Sequence, residues 1–206
     1  MAGRYRAPSS RLRFARLRAV LAAALVLGVG ATVTLAAWND SEHTSGQFTA
    51  GTFSIVGATD GVTFSEHPTA GQAATLSFQA PPTAMAPGTT TYALFSVRTA
   101  DPSVAGSVQL TAPGANGAGL GQYLQYGVRT VAGTTCDATT FGGGTPVVAN
   151  GSALTTGATA AQAVQANGAN QVNYCFAVTL PTTAPNAAQG LSLNATWELV
   201  GTTATS

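Results

Sequence analysis

Strict alternation of apolar and polar residues constrains this chain more than any other feature. From Val172 to Leu180 every second side chain is apolar, and the segment Leu191 to Leu199 repeats the pattern. Successive side chains of a β-strand point to opposite faces, so a period of two predicts strands with one face in a core. After residue 37 no segment of helical length keeps a period of 3.6 residues, although Ala158 to Gln165 could form one short helical turn. The chain is therefore expected to be all-β.

Further segments of strand character are separated by glycine, proline and asparagine, which are typical of turns. The other predicted strands are Phe48 to Val56, Val62 to Ser65, Ala74 to Gln79, Thr90 to Thr99, Ser107 to Thr111, Tyr123 to Val131 and Pro146 to Ala149. Many short strands favour an antiparallel β-sandwich of jelly-roll or immunoglobulin-like type. We expect one domain, residues 38–206, that begins with the strand segment 38–56. The predicted core aromatic residues are Phe78, Tyr92, Phe95, Tyr126, Tyr174, Phe176 and Trp197.

The first 37 residues have the pattern of a secretory signal peptide. All eight basic residues of the chain are arginines, and six of them lie in the first eighteen positions. An uncharged, mostly apolar stretch follows, from Ala19 to Ala37, and ends in small residues. A basic n-region (1–18) before an apolar h-region (19–37) predicts a helical signal peptide and export of the rest. An uncleaved anchor is the alternative, because a helix of this length spans roughly 28 Å, close to the thickness of a bilayer core.

The charge of the exported part excludes a nucleic-acid-binding protein. After residue 37 there are two arginines and seven acidic residues, which gives a net charge of about −5. The chain contains no lysine. Proteins that bind nucleic acids neutralise phosphates with clustered lysine and arginine. Contact with a membrane is expected only through an uncleaved leader.

The two cysteines, Cys136 and Cys175, are expected to form a disulfide, because an exported protein folds in an oxidising environment. Closing a loop of about forty residues would stabilise the fold by about 4 kcal/mol. Free thiols are the alternative. Two thiols without nearby histidines supply only half of a zinc site.

No motif of catalysis, cofactor binding or metal binding is found. The histidines of the exported part, His43 and His67, belong to no H-E-x-x-H pair, and the chain has no G-x-S-x-G elbow and no D-x-D-x-D run. The glycine-rich segment Gly114 to Gly121 lacks the lysine of a phosphate loop and is expected to be a flexible surface loop. We therefore predict no enzyme, no catalytic residue, no cofactor and no metal site. A surface module that binds carbohydrate or protein through the loops Gly114 to Gln122 or Gly133 to Thr145 is an alternative.

One segment resembles a known family. The junction Leu35-Ala36-Ala37-Trp38-Asn39-Asp40-Ser41-Glu42, followed by Gly46-Gln47-Phe48-Thr49-Ala50-Gly51-Thr52-Phe53-Ser54-Ile55, is similar to that of the TasA/camelysin family. Met85-Ala86-Pro87-Gly88-Thr89-Thr90 resembles the Pro-Gly turn of that family, and the segment from Tyr174 to Trp197 resembles its actinobacterial exported members.

The resemblance implies a SipW-dependent signal peptide, cut between Ala37 and Trp38 by a SipW-type peptidase. It also implies a jelly-roll-like sandwich that acts at the cell surface or in the biofilm matrix. In fibre-forming relatives the mature N-terminal segment is donated as a strand to the next subunit. Here that segment would run from Trp38 through Phe48 to about Ala50, with further copies of the chain as partners. Some relatives are described as metallopeptidases, but this sequence has no zinc motif, so that activity is not transferred.

Overall fold

The chain forms two compact units in this computed structural model, residues 1–48 and residues 49–206. Residues 10–33, 40–79 and 84–204 are described. The first unit contains the helix α1, Ser10–Val33, and residues 40–48, which are neither helix nor strand. In the described part of the chain no helix is both long enough and apolar enough to cross a membrane.

The second unit is mostly β, with one short α-helix and several 3-10 helices among its described residues. Its elements in chain order are β1 Ile55–Ala58, β2 Thr90–Thr99, β3 Gly106–Thr111, β4 Gln125–Val131, α2 Ala138–Gly143, β5 Thr145–Ala153, β6 Gln162–Val164, β7 Val172–Thr179 and β8 Glu198–Thr203. A five-stranded sheet has the order β1-β2-β7-β4-β5, and a three-stranded sheet has the order β6-β3-β8. All pairings are antiparallel. The expected all-β, sandwich-like fold is confirmed at this level.

The main core contains side chains from both sheets. Tyr126 of β4 and Tyr174 and Phe176 of β7 are almost completely buried there, together with Val108 and Leu110 of the three-stranded sheet. Large aromatic side chains dominate core energetics because each removes 150–250 Å² of surface from water.

The opposite face of the five-stranded sheet is also covered. Leu94 of β2 and Ala177 of β7 are buried there against Cys136 and Phe141. These last two residues come from the loop after β4 and from α2. The central strand β7 is consequently buried on both faces, so its alternation does not separate a core side from a solvent side.

Several sequence predictions are confirmed closely. The strand Thr90 to Thr99 has the predicted bounds, and β3, β4, β5 and β7 each overlap their predicted segments. Of the predicted core aromatics, Tyr126, Tyr174 and Phe176 are buried, and Phe78, Phe95 and Trp197 pack on the main core while half-buried. Tyr92 is half-buried and packs against Phe141, in the cluster on the opposite face of the five-stranded sheet.

Other local predictions were wrong. Ala158 to Gln165 contains the strand β6 and no helical turn, because backbone pairing with β3 satisfies this segment. The helix α2 was not predicted. Asp137 caps it by accepting a hydrogen bond from the Thr140 amide, while the Thr140 hydroxyl accepts one from the Asp137 amide. Such reciprocal capping can stabilise even a short helix.

Three predicted strands are mostly absent from the described structure. Only Ser65 of the segment 62–65 forms a bridge, to Gly57. Residues 74–79 form no strand, yet Leu76 and Phe78 pack on the main core. Residues 191–197 also form no strand, because hydrogen bonds from the loop 114–120 occupy the backbone groups of Ser192 and Thr196.

Candidate functional site

The N-terminal arm, defined here as residues 40–50, is exposed throughout. It contains neither helix nor strand. Among the described residues of the predicted strand segment 38–56, only Ile55 and Val56 belong to a strand, β1. Phe48 is 95% exposed, and Ala50 is exposed as well. Trp38 and the predicted cleavage bond between Ala37 and Trp38 lie outside the described residues. Exposure of a whole phenyl ring to water is unfavourable, so covering Phe48 would be favourable.

The residues after the arm are fixed to the connection between β2 and β3. The Thr52 carbonyl accepts a hydrogen bond from the Val104 amide at 2.8 Å, and the Ser54 carbonyl accepts one from the Ala100 amide at 2.9 Å. The Ser54 amide donates to Ser103 Oγ at 3.1 Å. The point at which the arm leaves the second unit is therefore defined.

Phe53 secures this attachment. Its half-buried ring lies over Gly106 of β3 and Gly201 of β8, where a Cβ would come within 2.5 Å and 2.8 Å of ring atoms. Contacts this short are not found for real Cβ atoms, so the two glycines make the space that the ring fills. Phe53 thus packs in its own subunit, whereas Phe48, five positions earlier, is exposed.

The strand β8 lies at an edge of the three-stranded sheet. It pairs with β3 from Gly106↔Thr203 to Thr111↔Glu198, and among the described residues no strand lies on its other side. Val200 is 39% exposed on this strand. Unpaired backbone groups at a sheet edge can bind another strand.

A polar groove, defined here as two adjoining clefts, lies beside β2. Gln79 and Tyr92 line both clefts. The cleft that also contacts Asp60 and Thr134 has a volume of about 190 Å³, and the one that contacts Asp137 and Thr139 has a volume of about 520 Å³. Residues 134–139 belong to the loop Gly133 to Thr145 that was considered as a binding loop.

The loop Gly114 to Gln122 contains regular structure and a buried asparagine. Gly114–Gly117 and Gly119–Gln122 form two 3-10 helices, and Asn116 in the first of them is only 1% exposed. A Cβ at Gly121 would lie 1.9 Å from the Asn116 carbonyl oxygen, so only glycine fits there. The segment lies at the surface as expected, with most of its residues exposed, but Asn116 is buried, which a run of glycine and alanine does not indicate.

The predicted disulfide between Cys136 and Cys175 is present. Its Cα atoms are 5.3 Å apart, and the two residues are 5% and 0% exposed. The bond attaches the loop before α2 to the centre of β7. It therefore positions the residues that form one wall of the groove.

The described residues contain no cluster of three or more histidine, cysteine, aspartate or glutamate side chains that could hold a metal ion. His67 lies 3.2 Å from the Ser65 hydroxyl, and its ring centroid is 6.3 Å from that of Phe95. His43 is exposed on the arm. His43 thus lies in the first unit and His67 in the second.

No protein-family model matches this chain, and no curated protein matches it.

Proposed function

We propose that this chain is an exported, non-enzymatic structural protein of the cell surface or biofilm matrix, which assembles into fibres. In this proposal α1 belongs to a SipW-dependent signal peptide, cut between Ala37 and Trp38, and the protein is a member of the TasA/camelysin family. The mature N-terminal arm is donated as a strand to the next subunit. The exposed Phe48 on an arm without secondary structure is the observation that carries the proposal.

A jelly roll is the finer fold type that the strand pairing supports. In an eight-stranded jelly roll the pairs are first with eighth, second with seventh, third with sixth and fourth with fifth. The pairs β2–β7, β3–β6 and β4–β5 occur here. Among the described residues the pair of β1 with β8 does not occur, because β1 pairs with β2. The position beside β8 is therefore the one that a strand from another molecule would take.

Strand addition at this edge has a physical basis. Main-chain hydrogen bonds supply affinity when an extended segment joins a sheet edge, and pockets for alternate side chains supply specificity. In the proposed assembly the arm of one subunit adds to β8 of the next, and Phe48 becomes covered. Because donor and acceptor are different surfaces, the contact is head-to-tail and produces a filament when it does not close into a ring.

The variant Phe48→Asp tests the proposal, with Val62→Asp as its matched control. Val62 is 76% exposed in the second unit, so the control places the same charge on another exposed apolar position. Negative-stain microscopy of the exported protein should show filaments for the parent chain and for V62D, and monomers for F48D. Filaments of unchanged length and number with F48D would contradict the donated strand.

A peptide experiment tests the acceptor edge. A chain that lacks residues 38–50 should remain monomeric and should bind a synthetic peptide of that sequence in a one-to-one ratio. On binding, the backbone amides of β8 should gain protection from hydrogen exchange, and those of β5, an edge strand of the five-stranded sheet, should not. Protection confined to β5 would show that the acceptor edge is wrong.

Processing is tested separately. N-terminal sequencing of the exported protein should give Trp38 as the first residue. A first residue of Met1, in the membrane fraction, would support an uncleaved anchor.

A further inference from the structure

We propose that the polar groove beside β2 binds a neutral oligosaccharide. The larger cleft, of about 520 Å³, lies within the range of roughly 300–1,000 Å³ that is usual for small-molecule sites. The smaller cleft extends it, because Gln79 and Tyr92 border both. A ligand of several linked rings can contact both of these adjoining clefts.

The groove combines the side chains that recognise sugars. Tyr92 offers a half-buried aromatic ring that packs at 5.9 Å from Phe141, and an aromatic face suits the C–H surface of a pyranose ring. Asp60 and Asp137 supply carboxylates, one at each cleft. A carboxylate accepts hydrogen bonds at about four positions and can therefore bind neighbouring hydroxyl groups of one sugar.

Both carboxylates are held in place and ionised. Asp60 Oδ1 accepts hydrogen bonds from the amides of Val62 at 2.8 Å and Thr63 at 2.7 Å, which lower its pKa to about 2. Asp137 Oδ1 accepts one from the Thr140 amide at 2.8 Å, and this bond lowers the pKa of Asp137. The two groups are consequently acceptors at every physiological pH.

The wall formed by residues 134–139 is built before a ligand arrives. Gln79 Nε2 donates to the Cys136 carbonyl at 2.6 Å, and the disulfide fixes Cys136 on β7. Asp137, which follows Cys136, is held in place because it caps α2. Preorganisation of this kind lowers the entropic cost of binding.

The chemistry of the lining favours a neutral ligand. No lysine, arginine or histidine belongs to the described lining, so an anion would meet two carboxylates without a compensating charge. The remaining polar groups are mainly hydroxyls, among them Thr59, Ser77, Thr135 and Thr139. Hydroxyls both donate and accept, which matches the hydroxyl groups of a sugar better than the ammonium groups of a basic peptide.

Isothermal titration calorimetry of the purified exported protein tests this site with maltohexaose, cellohexaose and chitohexaose, and with hexalysine as the cationic probe. The decisive variant is the double substitution Asp60→Asn and Asp137→Asn. Asparagine keeps both turn and cap interactions, since it is as good an N-cap as aspartate. The matched control is Asp101→Asn, because Asp101 is an exposed carboxylate two residues after the end of β2 and does not line the groove.

At least one of the three oligosaccharides should bind, with affinity unchanged in D101N and at least tenfold weaker in the double variant. Its addition should shift the NMR signals of the Tyr92 ring and of the Thr139 amide. Absence of binding by all three oligosaccharides, unchanged affinity in the double variant, or binding of hexalysine alone would each overturn the proposal. Filament formation plays no part in these readouts, so they are independent of the proposed assembly.

Discussion

Asn116 and Thr196 form a reciprocal pair of hydrogen bonds although they are 80 positions apart in the chain. Asn116 Nδ2 donates to the Thr196 carbonyl at 2.6 Å, and the Thr196 amide donates to Asn116 Oδ1 at 3.0 Å. The same Nδ2 also donates to the Leu154 carbonyl at 3.3 Å. A single buried side chain thus takes the place of a neighbouring strand for the segment that leads to β8.

Asn116→Ala should lower the free energy of unfolding by about 2–3 kcal/mol, because it removes these bonds and leaves backbone groups without partners. Chemical denaturation measures the loss. Asn194→Ala, at an exposed asparagine of the same segment, is the control and should change stability by less than about 0.5 kcal/mol. Equal effects of the two substitutions would contradict the role given to Asn116.

The two most deeply buried tyrosines should respond in opposite directions to loss of the hydroxyl group. Tyr126 and Tyr174 are both 0% exposed. The Tyr126 hydroxyl donates to the Thr156 carbonyl, whereas the Tyr174 hydroxyl has no hydrogen-bond partner within the described structure. Tyr126→Phe should therefore destabilise the protein by about 1 kcal/mol, and Tyr174→Phe should stabilise it by up to about 1 kcal/mol. Thermal unfolding of the two variants checks this, and equal losses would refute it.

The same tyrosines should make the fold sensitive to alkali. Burial raises the pKa of Tyr126 to about 12 and raises the pKa of Tyr174 further above its usual 10. Between pH 10 and 12 the unfolded chain loses these protons and the folded chain keeps them. Stability should be constant with respect to these groups below pH 10 and should fall above it, by about 1.4 kcal/mol per pH unit for each tyrosine.

Denaturation curves at several pH values from 8 to 12 measure this slope. Tyr174→Phe should reduce the slope by about half of the tyrosine contribution. A slope that is identical in this variant and in the parent chain would show that Tyr174 does not titrate with folding.

The disulfide should stabilise the fold and resist reduction. The cysteines are 39 positions apart, so the double variant Cys136→Ala, Cys175→Ala should lose about 4 kcal/mol if chain entropy dominates. Because both residues are buried, dithiothreitol should reduce the bond slowly in the folded protein and rapidly in guanidinium chloride. Mass spectrometry after alkylation follows both rates. Equally fast reduction in the two conditions would contradict the burial.

The sequence predicted most strands but could not place the polar groups that connect them. The predicted bounds of β2, Thr90 to Thr99, match those of the structure. Residues 191–197 show the same alternation, and Leu193, Ala195 and Trp197 do pack on the main core. Their backbone nevertheless bonds to a loop, since local pattern determines which side chains face inward but not which partner satisfies the amides.

The candidate sites divide in the same way. Phe48 and the cysteine pair could be named from the sequence, because an arm and a disulfide depend on few residues. The groove could not be assembled from it, since Asp60, Gln79, Tyr92 and Asp137 come from four separate segments. The pairing of β2 with β1 and β7, the hydrogen bond from the Gln79 amide to the Tyr92 carbonyl and the attachment of Cys136 to β7 bring those segments together.

The sequence by itself determined the all-β character, the oxidised cysteine pair and the acidic, lysine-free body, because these follow from local periodicity, residue chemistry and counted charge. Only the tertiary structure decided that β7 is buried on both faces, that β8 lies at the edge of its sheet and that Asn116 replaces a strand. Each of these depends on contacts between residues far apart in the chain, and local propensity carries no information about such contacts.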